Sequence, residues 1–236
     1  MKNFFAVIIC LLLSAAGISQ KEVKLKKKDR KRDVELVTSS GTMIIRLSDS
    51  TPLHRDNFLR LAKQGYFDSL LFHRVINRFM IQAGDPDSKR AVSGKPLGEG
   101  GPGYTVPAEF RPSLFHKKGV IAAARQGDDA NPQKASSGSQ FYIVQGRTYT
   151  QGALDTLENN PRMKGWKFNA TQKEVYKTAG GTPFLDQNYT VFGEVVSGMD
   201  VIDKIAVVPT SRGEDRDRPL TDVRILKTKL IKRKKY

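Results

Sequence analysis

An all-β domain, built as an antiparallel sheet closed into a barrel, is the fold class this sequence predicts. Three observations lead there. A hairpin pattern and six further short apolar runs read as strands. Helical periodicity is confined to a few short stretches, and no strand-helix unit repeats, which argues against a parallel sheet. Closure removes the exposed edges of an antiparallel sheet, so a barrel is favoured over an open one. At 236 residues there is room for one domain with a sizeable core, and neither an internal repeat nor a second core-forming block is visible.

The elements follow in order. MKNFFAVIICLLLSAAGISQ reads as a secretory signal peptide over 1–19, with Lys2 as the positive start, an apolar run over 4–13 and small residues before the cut. That run is shorter than the ~20 residues a membrane span takes. A basic linker fills 20–33, the folded domain runs over 34–231, and a basic tail closes the chain at 232–236. VELVTSSGTMIIRL predicts a hairpin turning at Ser39, Ser40 and Gly41. STPLHRDNFLRLAKQGYF switches to helical period, with Thr51 as N-cap, Pro52 in the first turn, Phe58, Leu61 and Ala62 on one face, and Gly65 as the stop. Strands are expected over 70–76, 79–84, 119–125, 139–145, 190–196 and 223–231, with a second helix over 199–206. The segment 149–182 breaks this rhythm: helix-forming stretches, a break at Pro161 and a capping-box pattern from Thr171 to Glu174 predict a helical insertion.

Composition removes most chemistries. Formal net charge is +16, concentrated in KEVKLKKKDRKR and IKRKKY; such terminal runs are read as solvated tails, with no nucleic-acid partner expected and contact with an anionic envelope surface left open. The single cysteine, Cys10, lies in the signal segment, so the mature chain is expected to hold no disulfide, thiol nucleophile or thiolate metal site. His54, His73 and His116 are the only histidines and share no metal-ligand spacing, so no metal or cofactor is expected; His73 is read as a structural, hydrogen-bonded histidine. No G-x-S-x-G occurs, Ser137 and Ser139 read as turn and strand-start residues, and Asp128 with Asp129 reads as a solvated loop. GKPLGEGGPG at 94–103 lacks phosphate-binding spacing and reads as a long flexible loop over the barrel.

One position resists a bland reading. FHRVINRFMIQAGD places a permanently charged guanidinium, Arg74, in an apolar run, and a buried charge is costly unless paired or used. With nucleophile, metal and redox groups gone, an arginine, apolar surfaces and amides remain. Rotation about an X-Pro bond suits that set, because its barrier of about 18–20 kcal/mol comes from lost amide resonance. In the twisted state the prolyl nitrogen regains a lone pair, and a guanidinium donor there favours the transition state over the planar ground state.

FHRVINRFMIQAGDP resembles the signature of the cyclophilins, the cyclosporin-binding peptidyl-prolyl cis-trans isomerases, and the likeness continues through GGPGYTVPAEF, GVIAAAR, SGSQFYI and FLDQNYTVFGEVVSGMDVIDKI, from about Val34 to about Leu230. The resemblance implies an eight-stranded barrel capped by two helices. It also implies that Arg74 is catalytic, that Phe79 and Met80 line a proline pocket, and that Gln82 binds the peptide backbone. Ala124 matches a small residue beside the peptide, Arg125 stands where many members carry a backbone-binding asparagine, and Gln140 matches a residue near the arginine. Tyr142 replaces a common phenylalanine, adding a hydroxyl that must find a partner. Leu185 keeps an apolar wall. Phe184 stands where many members have the tryptophan associated with tight cyclosporin binding, implying a weaker complex, and Tyr189 stands where many have a histidine.

Taken together, an exported isomerase in a bacterial periplasm is expected, acting on unfolded or partly folded proline-containing chains. Two other classes stay open at this stage: a non-catalytic binding module on the same fold, and a holdase chaperone using the same groove.

Overall fold

The computed structural model describes residues 23–163, 165–215 and 217–236, so the expected signal peptide and Cys10 lie outside the described residues. The expected hairpin is β1 (Arg32–Thr38) and β2 (Gly41–Leu47), with Thr38 opposite Gly41 across the turn. There follow α1 (Pro52–Lys63), β3 (Phe72–Ile76), β4 (Met80–Ala83), β5 (Thr105–Val106), β6 (Val120–Ala123), β7 (Ser136–Ser137) and β8 (Phe141–Val144). Then come α2 (Gln151–Glu158), α3 (Ala170–Thr178), β9 (Val191–Ser197), α4 (Met199–Ala206) and β10 (Ile225–Lys232). Eight of these strands form one antiparallel sheet in the order β10-β1-β2-β9-β6-β8-β4-β3, while β5 and β7 pair separately.

The expected full closure is replaced by a curled half-barrel. Its edge strands meet through the isolated Leu71–Arg224 bridge, with Phe72 N–H donating to Val223 C=O and Ile225 N–H to Leu70 C=O. Ser69, in the left-handed region at φ 72°, takes part in this contact, its N–H donating to Ile225 C=O at 2.7 Å. Inside the curl a single core packs Val34, Leu36, Ile45, Phe72, Ile81, Ile121 and Ile143 of the sheet against Phe58, Leu59 and Leu61 of α1 and Ile202 and Ile205 of α4. At its centre Phe58 meets Phe67 at 4.8 Å and Phe141 edge-on at 5.3 Å.

The N-terminus of α1 departs from expectation. Thr51 makes no capping bond and its hydroxyl is buried without a partner. Glu109, 55 residues away, caps the helix instead, accepting from Leu53 N–H at 3.2 Å and His54 N–H at 3.0 Å. A carboxylate satisfies two orphan donors and suits the positive helix end, so it displaces a local hydroxyl.

The insertion forms its two helices, α2 and α3, around their own small core of Leu154, Met163, Phe168 and Tyr176. Its capping box sits two residues earlier than predicted: Asn169 accepts from Gln172 N–H at 2.9 Å, and the Gln172 side chain returns the bond to Asn169 N–H at 2.9 Å. Asparagine is at least as good a cap as threonine, so the register follows the better residue. Both ends of the excursion are fastened together. Gly181 N–H donates to Arg147 C=O at 2.9 Å and Arg147 N–H to Gly181 C=O at 3.2 Å. Gly181 sits at φ +155°, and a Cβ there would lie 2.2 Å from His116 C=O, so only glycine fits the junction.

Candidate active site

Alternation along three strands builds the site. Ile81 and Ala83 of β4, Ile121 and Ala123 of β6, and Phe141 and Ile143 of β8 point into the main core. Met80, Val120, Ala122, Tyr142 and Val144 point to the opposite face, where Phe79, Ala124, Leu185 and Tyr189 pack against them. Both faces are covered, which is why these segments read as continuous apolar runs.

Arg74 reaches this outer face because β3 is irregular. Phe72 pairs with Ala83 and Arg74 with Gln82, with a register shift between them. In a regular strand Phe72 and Arg74 would share a face, and Phe72 lies in the main core. The bulge at His73 reverses the phase, so Arg74 faces out beside Gln82 while Val75 returns to the core.

A pocket of about 310 Å³ opens there, lined by Arg74, Phe79, Met80, Gln82, Ala124, Arg125, Tyr142, Leu185 and Tyr189. These nine are expected from the sequence, and His73, Leu97, Gly98 and Glu99 complete the lining. Gln140 lies just beside it, accepting from Gln82 Nε2 at 3.1 Å and lining an adjoining polar cleft. Phe184 stays outside the pocket but lies against Phe79 with ring centroids 5.7 Å apart.

The two arginines differ in availability. Arg125 has only a 5 % exposed side chain, donates to Asn188 C=O and Gln126 C=O at 2.8 Å each, pairs with Asp128 at 2.7 Å, and lies over the Tyr189 ring at 4.6 Å. Its guanidinium is occupied, and it serves as a wall that steadies Tyr189. Arg74 is 38 % exposed and its ion-pair partner among the described residues is Asp217, whose carboxylate lies 3.6 Å from Nε. Among the described residues no side-chain hydrogen bond engages its guanidinium, and it lines the pocket.

The added hydroxyl of Tyr142 finds a protein partner. It donates to His116 Nε2 at 2.9 Å, His116 Nδ1 donates to Asp186 at 2.8 Å, and the Tyr176 hydroxyl donates to the other Asp186 oxygen at 2.7 Å. Burial pushes both phenols well above the ordinary tyrosine pKa, so each remains a donor. This chain joins the pocket floor to α3 of the insertion. A second buried histidine, His54, donates from Nδ1 to Glu109 at 2.7 Å and accepts from the Ser136 hydroxyl at 2.9 Å; burial lowers its pKa.

Two sequence readings need correction. His73 is 3 % exposed at the edge of the pocket, but neither ring nitrogen has a hydrogen-bond partner among the described residues. Burial lowers its pKa to about 4, opposed by Asp85 and assisted by Arg74 and Arg218. The glycine-rich loop is a fixed pocket wall: Leu97, Gly98 and Glu99 line the cavity, Asp85 accepts from Gly98 N–H, and Gln140 donates to Gly98 C=O and Gly100 C=O at 2.8 Å each. Asp128 and Asp129 do lie exposed in a loop, as expected, with Asp128 paired to Arg125. Asp217 was also missed, since the segment carrying it has no periodicity to mark it.

The family profile described as "Cyclophilin type peptidyl-prolyl cis-trans isomerase/CLD" matches residues 33–230. A Staphylococcus aureus protein named "Putative peptidyl-prolyl cis-trans isomerase" is 35% identical over 206 residues, covering 85% of this chain and 93% of that one. A Staphylococcus saprophyticus protein of the same name is 34% identical over 193 residues, covering 80% and 86%. The crystal structure of a Cryptosporidium parvum cyclophilin type peptidyl-prolyl cis-trans isomerase superposes with a TM-score of 0.60 at 21% identity, covering 86% of this chain and 99% of that one. A second structure of it, obtained in the presence of the dipeptide Ala-Pro, gives a TM-score of 0.58.

Proposed function

The chain belongs to the cyclophilin-type peptidyl-prolyl cis-trans isomerases, and from that premise we propose that it assists the folding of exported polypeptides, with Arg74 as the catalytic group. The observation that carries this reading is the contrast between the two arginines at one apolar pocket: the Arg125 side chain is buried and engaged on several sides, whereas Arg74 lines the pocket half-exposed, with one long contact to Asp217 among the described residues. Phe79, Met80, Leu185 and the Tyr142 and Tyr189 rings seat the proline ring and exclude water. Gln82, steadied by Gln140, holds the substrate backbone. As the X-Pro bond twists, the prolyl nitrogen becomes pyramidal and its lone pair accepts from the Arg74 guanidinium. That bond is absent from the planar ground state, so it lowers the barrier. No covalent bond is made or broken.

The substrates are unfolded or partly folded chains with exposed X-Pro bonds, whose uncatalysed rotation takes tens of seconds. The apolar leader at 1–19 supports export to a periplasm. Pairing of Arg32 with Lys232 sets the two basic ends side by side, which supports contact with an anionic envelope surface. Phe184 in place of an indole supports weak binding of cyclosporin. The test is turnover of a short X-Pro peptide by wild type and Arg74→Ala. A fall in kcat/KM of about 10²-fold or more in a folded variant is expected. Unchanged turnover would remove Arg74 from the mechanism.

A further inference from the structure

A second groove adjoins the proline pocket. It encloses about 730 Å³, against about 310 Å³ for the pocket itself, and shares Arg125, Leu185 and Tyr189 with it as a common rim. Its far wall comes from the insertion: Leu157 at the end of α2, and Met163 in the 3-10 turn that follows Pro161. Phe184 forms the near wall. This phenylalanine is 42 % exposed, an unusual state for a large aromatic, and its ring leans on Phe79 of the proline pocket. Asn160 and Asn188 supply amides to the lining, and Asn188 is held by the Arg125 bond to its carbonyl.

The geometry points to this groove as a substrate subsite that holds a large apolar side chain, aromatic or leucine-like, carried two or three residues from the isomerised proline. The inference rests on the isomerase reading, because the shared rim matters only if a proline occupies the central pocket. A polypeptide so placed must leave the pocket across its rims. On one side lies the polar cleft of Gln82, Ala124 and Gln140, suited to main-chain amides. On the other lie Leu185 and Tyr189, and an extended chain advancing about 3.3–3.6 Å per residue carries a side chain over them within two or three positions. An apolar side chain arriving there meets Leu157, Met163 and Phe184 and shields Phe184 from water. The insertion therefore adds specificity without touching the rotating bond.

The experiment is exchange NMR on a peptide series built on one Ala-Pro unit in an alanine and glycine background. Phenylalanine or leucine is placed singly at each of three positions on either flank. Wild type should show a gain in kcat/KM of about tenfold at positions on one flank only, expressed mainly in KM, because the contact is made equally in ground and transition states. Leu157→Asp should cancel the gain. Asn160→Trp, at an exposed position that a large ring would obstruct, should do the same if the first variant folds poorly. Normal turnover of the parent peptide with no flank preference overturns the inference alone, as does a preference that survives both variants. A preference that fades as protein concentration rises would mark the groove as a contact between copies and overturn it too. Failure to turn over the parent peptide overturns the isomerase reading, and the inference with it.

Discussion

The Tyr142 hydroxyl donates to His116 Nε2 across 2.9 Å, so one side chain lines the proline pocket with its ring and enters the interior with its oxygen. The pocket floor is thereby fixed from behind. Tyr142→Phe leaves the ring face in place but strands the His116 acceptor, which is fully buried. Stability should fall by about 1–3 kcal/mol in urea unfolding while turnover of a short X-Pro peptide is retained. In a double-mutant cycle with His116→Leu the two losses should fall well short of additive. Additive losses would mean that the contact contributes nothing of its own.

His73 gives the fold a pH dependence whose sign follows from burial. Its pKa is about 4 in the folded protein against 6.5 ordinarily, so between these values the unfolded chain binds the extra proton. The stability this group contributes is present above pH 6.5 and is lost as pH falls toward 4, at a slope approaching about 1.4 kcal/mol per pH unit. His73→Leu should flatten that part of the profile, and because the imidazole nitrogens lack partners it should not lower stability at pH 7. Denaturant midpoints at half-unit pH steps measure both. Residual slope is expected from His54, whose pKa burial also lowers.

Glu109 holds the start of α1 and the His54 ring together. Glu109→Ala should cost at least about 2 kcal/mol, since it leaves backbone donors of a helix end and a buried imidazole N–H unsatisfied. Thr51→Ala, at the residue that fails to cap, should cost far less. Equal effects in thermal unfolding would restore Thr51 as the cap.

Phe184→Trp tests the cyclosporin expectation. The ring lies half exposed on Phe79, so an indole can be accommodated with its N–H toward solvent or ligand. Inhibition by cyclosporin should strengthen about tenfold, the equivalent of one added hydrogen bond of about 1.4 kcal/mol. An unchanged inhibition curve would show that position 184 does not set this affinity.

Local signals carried much of the fold. MDVIDKIA forms α4 over the same residues its pattern predicts, and GVIAAAR and SQFYIVQ form β6 and β8, because both faces of those strands are covered. The oddness of Arg74 in an apolar run was legible too, along with the eight side chains that join it at the pocket. What stayed hidden depends on long-range pairing. The bulge at His73 exists only against β4, Glu109 caps a helix 55 residues upstream, and Gly98 becomes a wall only through Asp85 and Gln140. The degree of closure was hidden for a similar reason: periodicity counts strands but cannot see that the two edge strands meet only through the isolated Leu71–Arg224 bridge.

The paired Arg147 and Gly181 make the insertion a cassette with adjacent ends. A backbone spliced from one to the other would need almost no linker, so related scaffolds could gain or shed such a unit without re-laying a strand. Charge sets a different limit. Tyr176 satisfies one oxygen of the buried Asp186 and His116 the other, so excision leaves the first oxygen without its donor beneath the pocket floor. A graft onto another scaffold must carry Asp186 and His116 with it, and a clean deletion must replace Asp186 as well.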